Sequence, residues 1–182
     1  VCVVQNTSFI DKLRSIGYSN FTAKLSLIIH EFILLPIMHF STGLAPLHAA
    51  AFKNNLSGDL LLFGGTGGVG KTSLELLFCG ESNYSFVSDD MAVINTSLEV
   101  YPNLAFSKIY AYNLIANRMM SKRLLKNRSL LDLMHWYTRK KIKGVSSVRR
   151  SIRVDTLYKY YEINKIKATK YYMLFRTNTV DK

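Results

Sequence analysis

Short apolar runs alternate with polar and glycine-rich turns along the first half of this chain. Residues 59–63 and 84–88 are apolar, β-prone runs of the length expected for buried strands. Between them, residues 72–78 carry an apolar face at helical spacing, and Gly80 is placed to end that helix. The order strand, glycine-rich turn, helix and strand predicts an α/β fold.

Apolar positions also recur at helical spacing on either side of this unit. Residues 23–35 predict a buried amphipathic helix that Pro36 ends, because proline cannot continue a helix. The same apolar stretch holds charged and histidine residues, so it is a poor candidate for a membrane span. In the C-terminal half, residues 113–126 and 129–137 predict two helices, and residues 139–144 predict a basic linker between elements.

The turn between the first strand and the helix matches G-x-x-x-x-G-K-[ST], the phosphate-binding loop of nucleotide-binding proteins. Its glycines let consecutive backbone N–H groups turn toward phosphate oxygens, and the following helix directs its positive end to the same place. Lys71 is placed to reach the β- and γ-phosphates, and the Thr72 hydroxyl to ligate Mg²⁺. The sequence therefore predicts ATP and Mg²⁺ at a loop of nine residues: Gly65, Thr66, Gly67, Gly68, Val69, Gly70, Lys71, Thr72 and Ser73.

Two adjacent carboxylates, Asp89 and Asp90, follow the second strand. Carboxylates at a strand end beside a phosphate loop can hold Mg²⁺ or accept the proton of an attacking hydroxyl. The sequence does not separate the base from the metal ligand, so both residues are candidates for both roles. A polar β-turn without chemistry is the alternative interpretation of the pair.

Residues 46–52 with His48, residues 58–72 and residues 87–90 together resemble the catalytic domain of the HPr kinase/phosphorylase family. Residues 151–154 and 168–176 resemble the late core strands of that family. The resemblance implies a phosphoenolpyruvate-carboxykinase-like P-loop domain, with a mixed sheet and flanking helices. It also implies an ATP-dependent serine kinase that acts on a protein or peptide, and homo-oligomers.

His48 matches the strand histidine of that family, which makes it a catalytic candidate, with a packed core histidine as the alternative. Two departures change the expected substrate. Thr72-Ser73 stands where HPr kinases have Ser-Glu, and no Arg-Gly segment follows the aspartate pair. The chain is closer to divergent HPr-kinase-related proteins of bacterial peptide-modification gene clusters, some of which phosphorylate a serine of a precursor peptide. Phosphorylase activity and HPr as the substrate are therefore not expected.

The length of 182 residues suits a single P-loop domain. We divide it into an N-terminal helical lead-in (1–45), a nucleotide-binding core (46–107), a basic helical segment (108–150) and late core strands (151–182). The chain begins with Val1 rather than methionine, so an N-terminal truncation is expected. Cys2 and Cys79 have no metal-binding or disulfide spacing, and no signal peptide is evident, which favours the cytoplasm.

Charge is distributed unevenly between the two halves of the chain. Residues 1–107 hold 5 Lys or Arg and 8 Asp or Glu, whereas residues 108–182 hold 19 and 4. The basic half could attract nucleotide phosphates, an acidic peptide or protein, or nucleic acid, or it could be an ordinary solvated surface. The alternative function is a P-loop ATP-binding or ATPase module that transfers no phosphate to protein and binds an anionic partner through this half.

Overall fold

The computed structural model describes residues 28–29, 32, 35–80, 83–115, 117–126 and 130–175. These residues form a mixed α/β structure with several sheets and helices. The described helices are α1 (Leu35–Phe40), α2 (Lys71–Gly80), α3 (Arg118–Leu125), α4 (Leu130–Lys143) and α5 (Val154–Leu157), with a 3₁₀ helix over Ala111–Leu114. The described strands are β1 (Leu44–Leu47), β2 (Ala49–Asn54), β3 (Leu60–Gly64), β4 (Tyr84–Ser88), β5 (Ala92–Asn95), β6 (Glu99–Tyr101), β7 (Ser107–Tyr110), β8 (Arg149–Ile152), β9 (Ile166–Lys167) and β10 (Lys170–Met173).

The described strands pair into three sheets. One sheet has the order β10-β3-β2-β4, in which β10 runs parallel to β3 and the other pairs are antiparallel. A second sheet has the order β1-β5-β6-β9 and is antiparallel throughout. A third sheet consists of the antiparallel pair β7 and β8.

Strand β2 is the centre of the packing because both of its faces are buried. Ala50 and Phe52 point to a core that includes the inner face of α2. Ala49 and Ala51, on the opposite face, pack in a second core between the two four-stranded sheets. Side chains alternate between the faces of a strand, so one strand serves both cores. The described residues therefore form layers: sheet, sheet and helix.

The strand, loop and helix around the glycine-rich motif are confirmed. Strand β3 is buried and runs directly into the loop, and α2 begins at Lys71 and ends at Gly80. Strand β4 covers residues 84–88, as predicted, and Cys79 is buried as a small apolar side chain. The late runs also contain strands, but they enter different sheets: β8 pairs with β7, whereas β10 pairs with β3.

Several predicted segments have other bounds in the structure. Most of the helix predicted over residues 23–35 lies outside the described residues, and Pro36 lies within α1 (Leu35–Phe40) rather than ending a helix. Residues 113–126 hold the end of a 3₁₀ helix and the separate helix α3, which begins after the cap residue Asn117. The predicted basic linker over 139–144 belongs largely to α4, which continues to Lys143.

A buried ion pair anchors helix α4 to strand β8. The Arg150 guanidinium makes a two-pronged contact with the Asp132 carboxylate at 2.8 and 2.6 Å, and both side chains are only 3% and 2% exposed. The same guanidinium lies over the Trp136 ring, 4.6 Å from its centroid. Asp132, in the first turn of α4, is thus the buried partner of an arginine 18 residues further along the chain.

No helix among the described residues is long and apolar enough to cross a membrane. The division of the chain into four segments remains a prediction.

We expect Asp132→Ala to destabilise the fold by about 3–5 kcal/mol, because it removes the carboxylate that pairs with the buried Arg150 guanidinium. Urea unfolding measures this loss. Asp155→Ala is the matched control, since the Asp155–Arg153 pair is largely exposed and should change stability by about 1 kcal/mol or less. Equal losses in the two variants would contradict this assignment.

Candidate functional site

The loop after β3 leaves its backbone open on the side where a phosphate could approach. Gly68 and Gly70 have φ angles of 78° and 109°, a region that other residues rarely adopt. A Cβ atom at either position would meet no atom within 4 Å. Helix α2 begins at the next residue, and the first N–H groups of a helix have no partner within it. The loop and helix together therefore form a cradle of N–H donors suited to an anion.

The base of the loop is packed tightly against the end of β10. Leu174 N donates to Gly64 O at 2.8 Å. A Cβ on Gly65 would lie 2.9 Å from both Leu174 O and Val69 Cγ1, so a larger residue could not occupy this position without displacement. The parallel strand β10 thus fixes the position at which the chain leaves β3 and enters the loop.

The Lys71 ammonium is buried within the curve of this loop. Its side chain has 6% exposure, and Nζ donates to Gly65 O at 2.8 Å and to Thr66 O at 3.2 Å. The same Nζ lies 3.1 Å from His48 Nε2. The loop therefore holds the Lys71 side chain. Its charge lies where the loop, helix α2 and the start of β2 meet.

His48 lies at the bend between β1 and β2, not inside a strand, and it belongs to the site rather than to the core. Its Nε2 is 2.8 Å from Asp90 Oδ1, and its side chain is 55% exposed. One ring nitrogen either carries a hydrogen or offers a lone pair. Nε2 can therefore donate to Asp90 or accept from Lys71, but it cannot do both in one tautomer. Asp90 and Lys71 thus both contact one ring nitrogen of His48, which places the aspartate beside the loop lysine.

The two aspartates point to different surroundings although they are adjacent in sequence. Asp90 has a φ of 59°, a left-handed conformation that aspartate tolerates better than most residues. Its side chain is 65% exposed and contacts His48. Asp89 is directed inward, where burial raises the pKa of its carboxyl and the neighbouring Glu75 carboxyl opposes that rise. The structure brings Asp90, but not Asp89, into contact with His48.

Glu75 on α2 is a site-forming residue that the sequence interpretation missed. It is fully buried, and its Oε1 accepts from Tyr158 Oη at 2.5 Å and from Ser107 Oγ at 3.3 Å. Burial raises the pKa of the Glu75 carboxyl well above its ordinary value, and neighbouring Asp89 raises it further. Glu75 Oε2 receives no hydrogen bond among the described residues. A neutral Glu75 can therefore donate to Asp89.

A signal for Glu75 was present in the sequence. It lies four residues before the buried Cys79 and next to the buried Leu76, so it shares the inner face of α2. An acidic residue on the apolar face of a helix needs a buried partner, because isolated buried charges are costly. Its partners lie 32 and 83 residues away in sequence, so the pattern alone could not identify them.

The remaining predicted residues are distributed around the loop. Thr66, Gly67 and Gly68 are exposed, whereas Val69, Gly70 and Thr72 are partly buried. Ser73 is exposed, and its Oγ accepts from Asn113 Nδ2 at 3.0 Å. The buried Asn113 carbonyl also accepts from Tyr110 N at 3.1 Å, which ties the start of α2 to the 3₁₀ helix. Asn113 is a second residue that the sequence interpretation did not place near the loop.

Oxygen donors suitable for Mg²⁺ are present in Thr72, Asp89 and Asp90, since this ion prefers hydroxyl, carboxylate and water oxygens. The described residues contain no cluster of three or more histidine, cysteine or acidic side chains that could hold a metal without other ligands. This donor set suits a cation that is shared with phosphate oxygens rather than one held by protein alone.

The chain was compared with protein-family models and with curated proteins, and neither comparison found a match. The resemblance stated from the sequence therefore remains a prediction.

We expect Glu75→Gln to retain or increase stability at pH 7, because glutamine keeps a neutral acceptor for Tyr158 and a donor for Asp89. Since the folded-state pKa of Glu75 is raised, its stabilising contribution is full below the ordinary glutamate value of 4.5 and is lost as pH rises toward the folded-state pKa. Urea unfolding from pH 4 to 8 should show this decline in the wild type and a smaller decline in Glu75→Gln, in which Asp89 alone keeps a raised pKa.

The matched control is Glu99→Gln, because Lys165 lowers the pKa of the Glu99 carboxyl and it lies outside this network. This control should keep the decline that Glu75 causes. Glu75→Leu should cost about 1–3 kcal/mol for each hydroxyl that it leaves unpaired. A Glu75→Gln variant that follows the wild-type pH profile would show that Glu75 is not neutral in the folded chain.

Proposed function

We propose that this chain is a nucleotide-dependent phosphotransferase that transfers a phosphoryl group from ATP to a serine hydroxyl of a protein or peptide. The observation that carries the proposal is the contact chain from Asp90 through His48 to Lys71, at 2.8 and 3.1 Å, beside a glycine-rich loop. Phosphoryl transfer to a hydroxyl needs a base, here Asp90, and a cation directed to the phosphates, here Lys71. The His48 ring, which can carry a proton, lies between them.

The fold assignment belongs to the same proposal. A mixed sheet, in which a buried strand enters the glycine-rich loop and a helix leaves it, supports a phosphoenolpyruvate-carboxykinase-like P-loop domain. The assignment to this particular P-loop fold rests on the resemblance of residues 46–94 to the family and on the strand, loop and helix described above.

The nucleotide phosphates would lie against the loop cradle. The open backbone at Gly68 and Gly70 fits a phosphate group, because no side chain occupies the space that a Cβ would fill. The N–H groups at the start of α2 and the Lys71 ammonium would balance the negative charge of the transferred group. Thr72 would hold Mg²⁺, with Asp89 as the candidate second ligand, and the ion when bound neutralises phosphate charge.

Asp90 is the aspartate that we assign as the general base, because it is the exposed one and contacts His48. The serine Oγ forms a bond to the γ-phosphorus as the bond between that phosphorus and the β–γ bridging oxygen breaks. The serine proton passes to the Asp90 carboxylate, and ADP leaves with the electron pair of the broken bond. His48 orients the Asp90 carboxylate through its 2.8 Å contact.

Asp89 and Glu75 have a supporting role in this scheme. Asp89 is a neighbour of Glu75 on α2, so two carboxyls meet where the end of β4 approaches the helix that follows the phosphate loop. The inward position of Asp89 leaves the adjacent Asp90 directed outward. Asp89 remains a candidate ligand for Mg²⁺, for which its carboxylate would have to be ionised.

ATP hydrolysis is the second candidate activity. The exposure of the site favours it over the interpretation of the aspartate pair as a polar turn without chemistry. The His48 and Asp90 side chains are both more than half exposed, so water could take the place of the serine hydroxyl. The two activities differ only in the acceptor. They can therefore be separated by identifying where the phosphate goes.

The test is intact-mass spectrometry of serine-containing precursor peptides encoded beside the gene, after incubation with the full chain, ATP and Mg²⁺. We expect a phosphate-sized mass gain on a peptide. Asp90→Asn should lower the transfer rate by about 10²–10⁴-fold, the usual loss on removal of a general base, with nucleotide binding retained. Lys71→Ala should lose both binding and transfer.

Asp59→Asn is the matched control, because Asp59 precedes β3, at the end of the strand opposite the loop, and pairs with Lys170. This variant should transfer phosphate at the wild-type rate. Phosphate release without peptide modification would favour the ATPase interpretation. Full transfer by either Lys71→Ala or Asp90→Asn would refute the assigned site.

A further inference from the structure

Helix α4 presents an apolar face away from the protein. Its inner side is held by the Asp132–Arg150 ion pair and the buried Trp136. On its outer side, large apolar side chains are exposed at both ends and in the middle: Leu130 (79%), Leu131 (65%), Met134 (65%), Tyr137 (54%) and Ile142 (75%). Single exposed apolar residues are ordinary, but a contiguous set marks an interaction surface.

Helical geometry places these five side chains together. At about 100° per residue they fall within an arc of about 140°, and residues 130 and 142 are separated by about 18 Å along the axis. Thr138 and Lys141 lie on the same arc, and His135 lies just outside it. We call this set the outer face of α4. It is a convex ridge on one helix rather than a groove.

The charge around the outer face has one sign. Residues 118–153 hold 12 Lys or Arg and 1 acidic residue, Asp132, which is buried against Arg150. The last turns of α4 carry Lys140, Lys141 and Lys143. Every charged side chain that this segment exposes is therefore a cation. The partner that fits is anionic and offers an apolar layer close behind its charge.

We propose that the outer face of α4 docks on an anionic lipid surface. Leucine, methionine, tyrosine and isoleucine side chains would enter the boundary between headgroups and acyl chains, as on interfacial amphipathic helices. Lysines at the edge of such a face can extend their ammonium groups to anionic headgroups while their stems stay in the apolar layer. The proposal goes beyond the phosphotransferase activity and does not depend on it.

Other partners fit this surface less well. Nucleic acid would place its phosphates against apolar side chains at the centre of the face. A second copy of this chain would bring two strongly cationic segments together. An acidic protein would need a groove shaped to the ridge, whereas the fluid boundary of a bilayer adapts to a convex ridge without one.

The experiment is co-sedimentation of the full chain with vesicles of phosphatidylcholine alone and with vesicles containing phosphatidylserine at about 30%. We expect binding to the anionic vesicles that weakens as salt rises. The variant Leu130→Ser, Met134→Ser, Ile142→Ser should bind at least about tenfold more weakly. Leu56→Ser is the matched control, because Leu56 is 92% exposed in a turn outside α4 and should change nothing.

The fluorescence of Trp136, the single tryptophan, reports whether α4 remains packed in each variant. Light scattering after size exclusion measures whether the chain dimerises. Binding of soluble polyglutamate measures whether the same surface binds an acidic polypeptide. The proposal fails if phosphatidylserine adds no binding, or if the triple variant binds vesicles like the wild type while Trp136 remains buried. It also fails if the outer face instead mediates dimerisation, or if the triple variant loses polyglutamate binding but keeps vesicle binding.

Discussion

The buried carboxyl of Glu75 is the interaction on which the architecture around the loop depends. It joins the phosphate-loop helix to β7 through Ser107 and to the segment after α5 through Tyr158, and it is a neighbour of Asp89 at the end of β4. A buried acid of this kind costs little when it is neutral and hydrogen-bonded, and much when it is charged and alone. Parts of the chain that are 83 residues apart therefore meet at one proton-bearing group.

The exposed part of the site, which Asp90 and His48 form, lies next to this buried carboxyl. Asp89 is directed inward, and the left-handed turn at Asp90 directs the next carboxylate to His48. His48 can take that position because it lies at a bend between two sheets, with β1 in one and β2 in the other. Lys71 meets the same ring from the loop side. Two sheets and one helix thus contribute one side chain each to a compact polar group.

Sequence reasoning predicted the parts of the fold that local pattern determines. The loop glycines, the buried run of β3 and the apolar face of α2 are short-range signals, and they identified both the elements and the loop residues. The raised pKa of Glu75 and the Asp132–Arg150 pair depend on contacts between distant residues, which no local pattern contains. The basic run at 139–143 was predicted as a linker because its charges resemble a solvated segment, whereas Asp132 and Trp136 hold that helix in place.

The central claim is that the loop after β3 holds nucleotide phosphates beside Lys71. Calorimetric titration of the full chain with ATP, ADP and GTP in the presence of Mg²⁺ tests it most directly, with Lys71→Ala measured in parallel. Our account predicts binding of one nucleotide per chain, weakened by removal of Mg²⁺ and by at least about tenfold in Lys71→Ala, since that variant loses the cation that faces the phosphates. Absence of nucleotide binding, or equal affinity in the two proteins, would contradict it.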